Sequence, residues 1–295
     1  MRVLITGSTG FLGANLVKYL KITKPDWDIF GFDLKDESDE NYKYKKLDFN
    51  YQVNWKHEFM EFEPDIIFHL IGLFRGSEEE VYATNVYSFE RFIEGIRDSE
   101  LNTKLLVMGS AAQYGSVNKN ENPINENHPT KPVNAYGKTK NLQEEIALKF
   151  YKDNDIDVIC TRPSSFVGNG VSKQLLCGYL SNKFRSTENI IDIEISNAND
   201  IRDYIDVRDV CQALLLLQEK SGISGEIFNL TTGIPYTNLE VINLFEKVSM
   251  KKANIVYTQQ DKLHSEIWLD GSKLAKTVNF KPRYTMDESV SWSLH

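Results

Sequence analysis

The sequence predicts an α/β fold built on a doubly wound parallel sheet, followed by a smaller C-terminal region. Three observations predict it. Short apolar, β-branched segments alternate with longer segments of helical periodicity. A glycine-rich turn links the first strand to the first helix, and the alternation weakens after Gly168. Apolar residues make up 41% of the chain and charged residues 26%, a balance that excludes a largely disordered protein.

The first strand is expected at residues 1–6, an apolar run rich in β-branched side chains, which is typical of a buried parallel strand. Leu12, Leu16 and Leu20 then share one face of the first helix. A segment near 226–230 is apolar and is expected to return to the main sheet as a strand. The other expected strands are residues 29–33, 65–70, 104–108 and 157–161, and a third strand is expected to end over residues 46–49. The other expected helices are residues 51–61, 78–97 and 134–150.

The glycines of the turn TGSTGFLG stand where a strand becomes a helix, which is the context of a Rossmann-like dinucleotide-binding turn. Gly7 permits a tight turn, Gly10 lets backbone amides approach a pyrophosphate, and Gly13 lets helix and strand pack closely. Phe11 and Leu12 open the helix whose N-terminus favours phosphate, so they are expected beside the cofactor. A glycine-rich turn without a ligand is the alternative.

Asp33 ends the second strand about twenty residues beyond Gly13. A carboxylate there can accept both hydroxyls of the adenosine ribose of NAD, and it repels a 2′-phosphate by a few kcal/mol, roughly. Asp33 therefore favours NAD(H) and makes NADP(H) the less suitable cofactor. The alternative is a solvated turn residue in the charged segment 35–37.

Tyr136 and Lys140 lie four residues apart at the start of an expected helix, so they share one helical face. The pairs Tyr42–Lys46 and Tyr179–Lys183 have the same spacing, and for these an ordinary structural role is expected. A nearby ammonium favours the phenolate form of tyrosine, which suits Tyr136 as a general acid or base. Ser110, after another expected strand, is placed to hydrogen-bond a carbonyl or alkoxide oxygen. The alternative is an amphipathic helix with a half-buried tyrosine.

Taken together, TGSTGFLG, Asp33, Asp48, GSAAQYG, YGKTK and Arg162-Pro163 resemble the extended short-chain dehydrogenase/reductases, the NAD-dependent epimerase/dehydratase family that acts on nucleotide sugars. The resemblance covers nearly the whole chain. It implies a Rossmann-like cofactor domain at residues 1–167 and a substrate-binding region at residues 168–295. It implies the catalytic residues Ser110, Tyr136 and Lys140, with Lys140 also holding the nicotinamide ribose.

The same resemblance assigns further contacts. It implies Asp48 and Phe49 near adenine, Leu70 and Ile71 along the cofactor cleft, and Pro163 near the nicotinamide. On the substrate side it implies that segment 197–210 clamps the pyrophosphate of a nucleotide-diphosphate sugar. The residues implied to contact substrate are Ser110, Ser165, Arg202 and Tyr204. An ion pair with Asp203 or Asp206 is the alternative for Arg202.

The sequence favours reduction of a 4-keto-6-deoxyhexose linked to a nucleoside diphosphate. Ala111 and Ala112 replace the Asp and Glu of the family's dehydratases, so 4,6-dehydration is not expected. The motif spacing resembles the GDP-6-deoxy-4-keto-hexose reductases, which commonly use NADPH, whereas Asp33 suits the tightly held NAD of a 4-epimerase. A 4-epimerase and a non-catalytic NAD-binding regulator therefore stay open. Ser165 stands where the family has asparagine, and the family's arginine near 262–266 is absent, with Lys262 and His264 nearby.

The remaining expectations concern partners and location. A net charge of −8 disfavours nucleic acid as a partner, and no apolar run is long enough for a membrane span. No Cys/His cluster has metal-site spacing, so no metal is expected. Three widely spaced cysteines and the lack of a signal-peptide pattern indicate a cytoplasmic protein. The family resemblance implies a homodimer formed through the helices at 78–97 and 134–150.

Overall fold

The computed structural model describes residues 1–36, 42–154, 156–258 and 265–295. Its strands are β1 Arg2–Thr6, β2 Asp28–Asp33, β3 Lys43–Lys46, β4 Ile66–His69, β5 Lys104–Met108, β6 Val158–Pro163, β7 Ser165–Val167, β8 Ile190–Ile195, β9 Ile201–Asp206, β10 Ile227–Leu230, β11 Pro235–Thr237, β12 Lys252–Tyr257 and β13 Glu266–Ile267. Its helices are α1 Phe11–Thr23, α2 Trp55–Phe62, α3 Glu78–Tyr82, α4 Ser88–Ser99, α5 Ala135–Asn154, α6 Leu176–Phe184, α7 Val207–Glu219, α8 Asn238–Ser249, α9 Ser272–Val278 and α10 Met286–Ser293.

The predicted doubly wound sheet is confirmed. Seven strands pair in the order β10-β6-β5-β4-β1-β2-β3, and the pairs from β6 to β3 are parallel. The strand order reverses direction between β1 and β4, which are neighbours in the sheet. Open α/β sheets bind ligands at such a switch point, beyond the C-terminal ends of the strands. The turns after Thr6 and His69 are at this position.

Aromatic packing fixes the sheet against its helices. Phe49 packs on Trp55 with ring centroids 4.6 Å apart and on Phe92 at 5.8 Å, and both partners are buried. On α1 the predicted face is buried, with Leu16 and Leu20 fully inaccessible. Burial of such side chains stabilises the fold by roughly 1.5–3 kcal/mol each.

Two local predictions need correction. The third strand is Lys43–Lys46, and residues 47–49 follow it as a turn, because the Asp48 carboxylate accepts the Asn50 N–H at 2.9 Å while Phe49 turns into the core. The helix expected at 78–97 is helical through Ser99, but a π-helical turn, Ala83–Tyr87, separates α3 from α4. Both departures place polar groups near the strand ends.

The chain divides into two compact units that alternate along the sequence. The first comprises Met1–Gly115, Pro129–Arg162 and Cys211–Phe228, and the second comprises Ser116–His128, Pro163–Val210 and Asn229–His295. The second unit contains β9, which pairs with β7, β11 and β13, and the separate parallel pair β8–β12. A single domain boundary after residue 167 stays a prediction. In the described ranges, no helix is both long and apolar enough to cross a membrane.

Candidate active site

The glycine turn is held tightly between β1 and α1. Gly7 has a φ of +74°, a conformation that glycine adopts without strain, and its N–H donates to the Phe32 carbonyl at 2.8 Å. A Cβ at Gly7 would lie 3.3 Å from the Ile71 nitrogen, so the turn runs directly against the chain leaving β4. A Cβ at Gly13 would lie 2.0 Å from the Gly7 carbonyl oxygen. Both positions therefore require glycine, as the sequence predicted.

The start of α1 fits the pyrophosphate of a dinucleotide. Gly10 is the N-cap and makes no side-chain cap bond, so no side chain of the cap residue covers the helix N-terminus. The helix dipole and the first backbone amides attract an anion at such a position. The close approach of Gly7 to Ile71 also places this N-terminus at the sheet's switch point. The residues present thus fit the pyrophosphate of a dinucleotide.

The Asp33 carboxylate is bonded to the glycine turn. Its Oδ2 accepts the Thr9 N–H at 2.9 Å and the Thr9 hydroxyl at 2.8 Å, and its Oδ1 accepts the Leu34 N–H at 2.7 Å. The alternative of a solvated turn residue therefore does not describe Asp33, which is partly buried and ordered by three hydrogen bonds.

The other expected cofactor contacts line the same strand ends. Leu70 and Ile71 follow β4 and adjoin Gly7. Asp48 lies in the turn after β3 and is partly buried. The Phe49 ring is committed to the core, and its carbonyl accepts a hydrogen bond from Arg91 at 2.9 Å. A contact of Phe49 with adenine stays a prediction, and it would have to use the residue's backbone.

Ser110 and Tyr136 are brought together beyond the end of β5. Ser110 follows the strand by two residues, and its Oγ accepts the Ala112 N–H at 3.1 Å. Tyr136 is in the first turn of α5, partly buried, with its side chain hydrogen-bonded to Ser110. Burial raises the pKa of Tyr136, and the bond to Ser110 opposes that rise. The phenol is therefore protonated at neutral pH.

Lys140 is one helical turn further along α5 and is buried. Its ammonium donates to the Ile71 carbonyl at 3.0 Å, the Met108 carbonyl at 2.8 Å and Oε1 of Gln143 at 2.8 Å. Burial lowers the pKa of Lys140 to about 7. The expectation that Lys140 lowers the pKa of Tyr136 is not met in this geometry, because all three ammonium protons are directed to other acceptors and burial dominates the phenol.

The two other Tyr–Lys pairs have the structural roles expected of them. Lys183 lies 5.7 Å from the ring centroid of Tyr179 on α6, a cation–π contact, and the Tyr179 hydroxyl accepts the Glu194 N–H at 2.9 Å. Tyr42 is buried and reaches Ser8, and it does not share a helix with Lys46.

Asn85 is a residue of the site that the sequence argument missed. Its Oδ1 accepts the Leu73 N–H at 2.7 Å, and its Nδ2 donates to the Leu73 carbonyl and to Thr139 Oγ1, both at 2.9 Å. Thr139 in turn donates to the Tyr136 carbonyl at 3.0 Å. Asn85 thus fixes the loop after β4 against the first turn of α5. The available signal was a polar residue on the apolar face of the helix at 78–97.

A buried ion pair also supports α5. Arg162 Nε donates to Glu144 at 2.9 Å, the guanidinium bonds both carboxylate oxygens, and it lies 4.8 Å from the Tyr114 ring centroid. Gln113 Oε1 accepts the Ser110 N–H at 2.8 Å, which orients the backbone of that residue. In the sequence Arg162 is recognisable only as part of a motif, and its partner Glu144 is not apparent from spacing.

In the second unit, Arg202 and Tyr204 are two residues apart on β9, and Ser165 pairs with Tyr204 in the adjacent strand β7. Arg202 donates to the Ser265 carbonyl and Ser265 Oγ, both at 2.9 Å, and not to Asp203 or Asp206. The ion-pair alternative is therefore wrong, since Asp206 pairs with Arg208. The remaining predicted residue here, Pro163, ends β6. Lys262 and His264 lie outside the described residues.

Within the described parts of the chain, one group of side chains has metal-site spacing. Ligand atoms of His57, Glu58 and Glu61, all on α2, lie within 4.8 Å of one another. The Lys45 ammonium already bonds to both carboxylates, at 3.1 Å for Glu61. This lysine offsets one of the two carboxylate charges, and the expectation of no metal stays a prediction.

Comparison with known proteins agrees with this geometry. GDP-6-deoxy-D-talose 4-dehydrogenase of Aggregatibacter actinomycetemcomitans is 27% identical, over 98% of this chain and 95% of that protein. The fold is similar to UDP-glucose 4-epimerase of Thermotoga maritima, solved with UDP-glucose (TM-score 0.90, 20% identity, 100% and 97% of the two chains). It is also similar to UDP-glucuronic acid 4-epimerase of Bacillus cereus, solved with UDP-glucuronic acid and NAD (TM-score 0.87, 18% identity, 100% and 98% covered). The model of the NAD dependent epimerase/dehydratase family matches residues 3–231, and the chain belongs to that family.

Proposed function

We propose that this protein is a nucleotide-sugar oxidoreductase that reduces the C4 ketone of a 4-keto-6-deoxyhexose linked to a nucleoside diphosphate. The observation that carries the proposal is the placement of Ser110, just beyond the end of β5, beside Tyr136 in the first turn of α5, with buried Lys140 one helical turn away. The 4-dehydrogenase relative acts at the same carbon by name, and reduction is the reverse of such an oxidation.

Tyr136 and Ser110 supply the proton donor and the hydrogen-bond donor that reduction requires. A bound nicotinamide cofactor supplies the hydride to C4. Tyr136, kept protonated by burial, donates its proton to the developing C4 alkoxide, and Ser110 donates a hydrogen bond that stabilises the charge on the same oxygen. Lys140 braces the ends of β4 and β5 through Ile71 and Met108, which holds α5 in register with them.

NAD(H) is the proposed cofactor. Gly7, Gly10, Phe11, Leu12 and Gly13 form the pyrophosphate site, and the Asp33 carboxylate accepts a ribose hydroxyl where NADP(H) carries a phosphate. Leu70, Ile71, Asp48, Phe49 and Pro163 complete the set of proposed cofactor contacts.

A nucleotide-diphosphate sugar is the proposed substrate. Arg202, with its planar guanidinium, suits a pyrophosphate, and Tyr204 and Ser165 on neighbouring strands are proposed to contact the rest of the substrate. Ala111 and Ala112 follow Ser110 and offer no acid to protonate a C6 hydroxyl. Their identity supports reduction or epimerisation over 4,6-dehydration.

A 4-epimerase is the second candidate, favoured by Asp33 and by the similarity to UDP-hexose 4-epimerases. Stoichiometry separates the two. Net reduction consumes one NADH for each sugar, whereas epimerisation proceeds with catalytic NAD and no added reductant. Incubating a reduced sugar nucleotide without NADH, and analysing the product stereochemistry, therefore decides between them.

The catalytic proposal is tested by Tyr136→Phe, with Tyr179→Phe as the matched control from a Tyr–Lys pair of structural role. We expect Tyr136→Phe to lower kcat by about 10²–10⁴-fold and to leave the NADH dissociation constant within about twofold. The control should retain full turnover. Full activity of Tyr136→Phe would sink the mechanism, and NADH binding without turnover of any sugar nucleotide would favour a non-catalytic regulator.

Two further properties belong to the proposal. We propose a homodimer through α4 and α5, which light scattering at micromolar concentration would test by mass, a monomer mass contradicting it. We also propose a cytoplasmic location, supported by Cys160, Cys177 and Cys211, which are free thiols.

A further inference from the structure

Three successive residues of the glycine turn, Gly7, Ser8 and Thr9, contact the last three residues of β2. The Gly7 N–H donates to Phe32 at 2.8 Å. Ser8 is buried and packs against Gly31, and a Cβ added at Gly31 would lie 2.4 Å from Ser8 Oγ. Thr9 then donates twice to Asp33. These contacts hold the turn against the end of β2, and those of Thr9 are the last of them along the chain.

The bonds to Asp33 use most of its acceptor capacity. A carboxylate offers about four lone-pair positions. The Thr9 N–H and hydroxyl occupy both positions of Oδ2, and the Leu34 N–H occupies one of Oδ1. One position remains, on Oδ1. Asp33 can therefore accept one ribose hydroxyl and not the two that the sequence suggested, as long as Thr9 keeps its bonds.

We propose that Thr9 is a specificity-determining positioning residue for the cofactor, and this inference rests on the proposed NAD(H) function. With Oδ2 held by two donors from one residue, the Asp33 carboxylate keeps a single orientation and cannot swing aside. A fixed carboxylate accepts a hydroxyl donor from NADH but gives no room to the 2′-phosphate of NADPH. The Asp33 carboxylate supplies the negative charge that repels the 2′-phosphate. Thr9 holds that carboxylate in the orientation on which the discrimination between NADH and NADPH depends.

The Thr9 hydroxyl is separable from its backbone amide. Thr9→Val preserves shape, β-branching and the N–H bond, and it removes only the hydroxyl donor. Thr9→Ser restores that donor. Asp33→Asn keeps the size of the side chain and removes its charge, so it reports the full contribution of the carboxylate.

The experiment measures dissociation constants of NADH and NADPH by calorimetry for the wild-type protein and these three variants. We expect Thr9→Val to reduce the preference for NADH over NADPH by about tenfold, a value set by the loss of one charged hydrogen bond. Thr9→Ser should stay within about twofold of wild type, and Asp33→Asn should lose most of the preference. Thermal melting confirms that each variant is folded.

The outcomes separate the two proposals. A wild-type protein that binds neither nucleotide overturns the proposed cofactor and this inference with it. A wild-type protein that prefers NADH, with a preference that Thr9→Val leaves unchanged, overturns the role of Thr9 alone. Failure of Thr9→Ser to restore the preference lost in Thr9→Val would also contradict it, because the effect would then follow shape and not the hydroxyl.

Discussion

Replacing Gly13 by alanine places a methyl group where the chain of the glycine turn already lies. The added Cβ would be 2.0 Å from the Gly7 carbonyl oxygen and 2.7 Å from the Ser8 Cα, and both neighbours are backbone atoms. Relief to an ordinary contact of about 3.4 Å requires the turn and α1 to separate by more than 1 Å. Overpacking of this kind costs about 1–3 kcal/mol of unfolding free energy. A shift of about 1 Å at a site that positions a ligand also costs roughly 100-fold in function.

Gly10→Ala is the matched control in the same turn. Its Cβ would lie 3.2 Å from the same Gly7 oxygen, and its φ of −71° suits any residue. Calorimetric titration with NADH and urea unfolding measure both effects. We expect Gly13→Ala to weaken binding about 100-fold and to lower the unfolding free energy. Gly10→Ala, whose added methyl group would meet the pyrophosphate more than the protein, should weaken binding with little loss of unfolding free energy. Equal, wild-type-like binding by both variants would refute the claim that this turn holds the cofactor.

Three other predictions follow from the groups around α5. Glu144→Leu removes the carboxylate that pairs with the buried Arg162 guanidinium, so we expect a loss of about 3–5 kcal/mol in urea unfolding. Most of this loss should be recovered when Arg162→Met is added, and no recovery would contradict the pairing. The pKa of Lys140 is near 7 in the folded protein and about 10.5 when unfolded, so the unfolded state binds more protons between these values and stability must rise with pH there. Wild type should therefore gain at least about 1 kcal/mol over Lys140→Met between pH 6 and 9, and parallel pH profiles would count against it. Ser110→Ala removes the interaction that lowers the pKa of Tyr136, so the alkaline limb of the pH–rate profile should move to higher pH. An alkaline limb that does not move would contradict an effect of Ser110 on the pKa of Tyr136.

Local patterns predicted most elements of the seven-stranded sheet and its helices. The glycine spacing, the apolar face of α1 and the carboxylate ending β2 each depend on neighbours in sequence, and the structure has them in the predicted arrangement. The end of the third strand was placed at residue 49 and not at Lys46, because the apolar Phe49 is typical of a strand. Phe49 instead enters the core from a turn that Asp48 stabilises.

The sequence did not reveal which residues far apart in the chain are hydrogen-bonded to one another. The Asn85 bonds to Leu73 and Thr139 and the Lys140 bonds to the Ile71 and Met108 carbonyls join segments far apart in the chain. Spacing alone suggested that Lys140 would act on Tyr136, because residues four apart share a helical face. The direction of the ammonium is set instead by the ends of β4 and β5, which no local pattern encodes.

Transfer of deuterium from C4-deuterated NADH to sugar tests the central claim most directly. The protein is incubated with the labelled cofactor and 4-keto-6-deoxyhexoses carried on different nucleoside diphosphates, and the products are analysed by mass and NMR. We expect one deuterium at C4 of the product, one NADH consumed per sugar, and loss of both in Tyr136→Phe. Tight NADH binding with no deuterium at C4 of any of these sugars would contradict it.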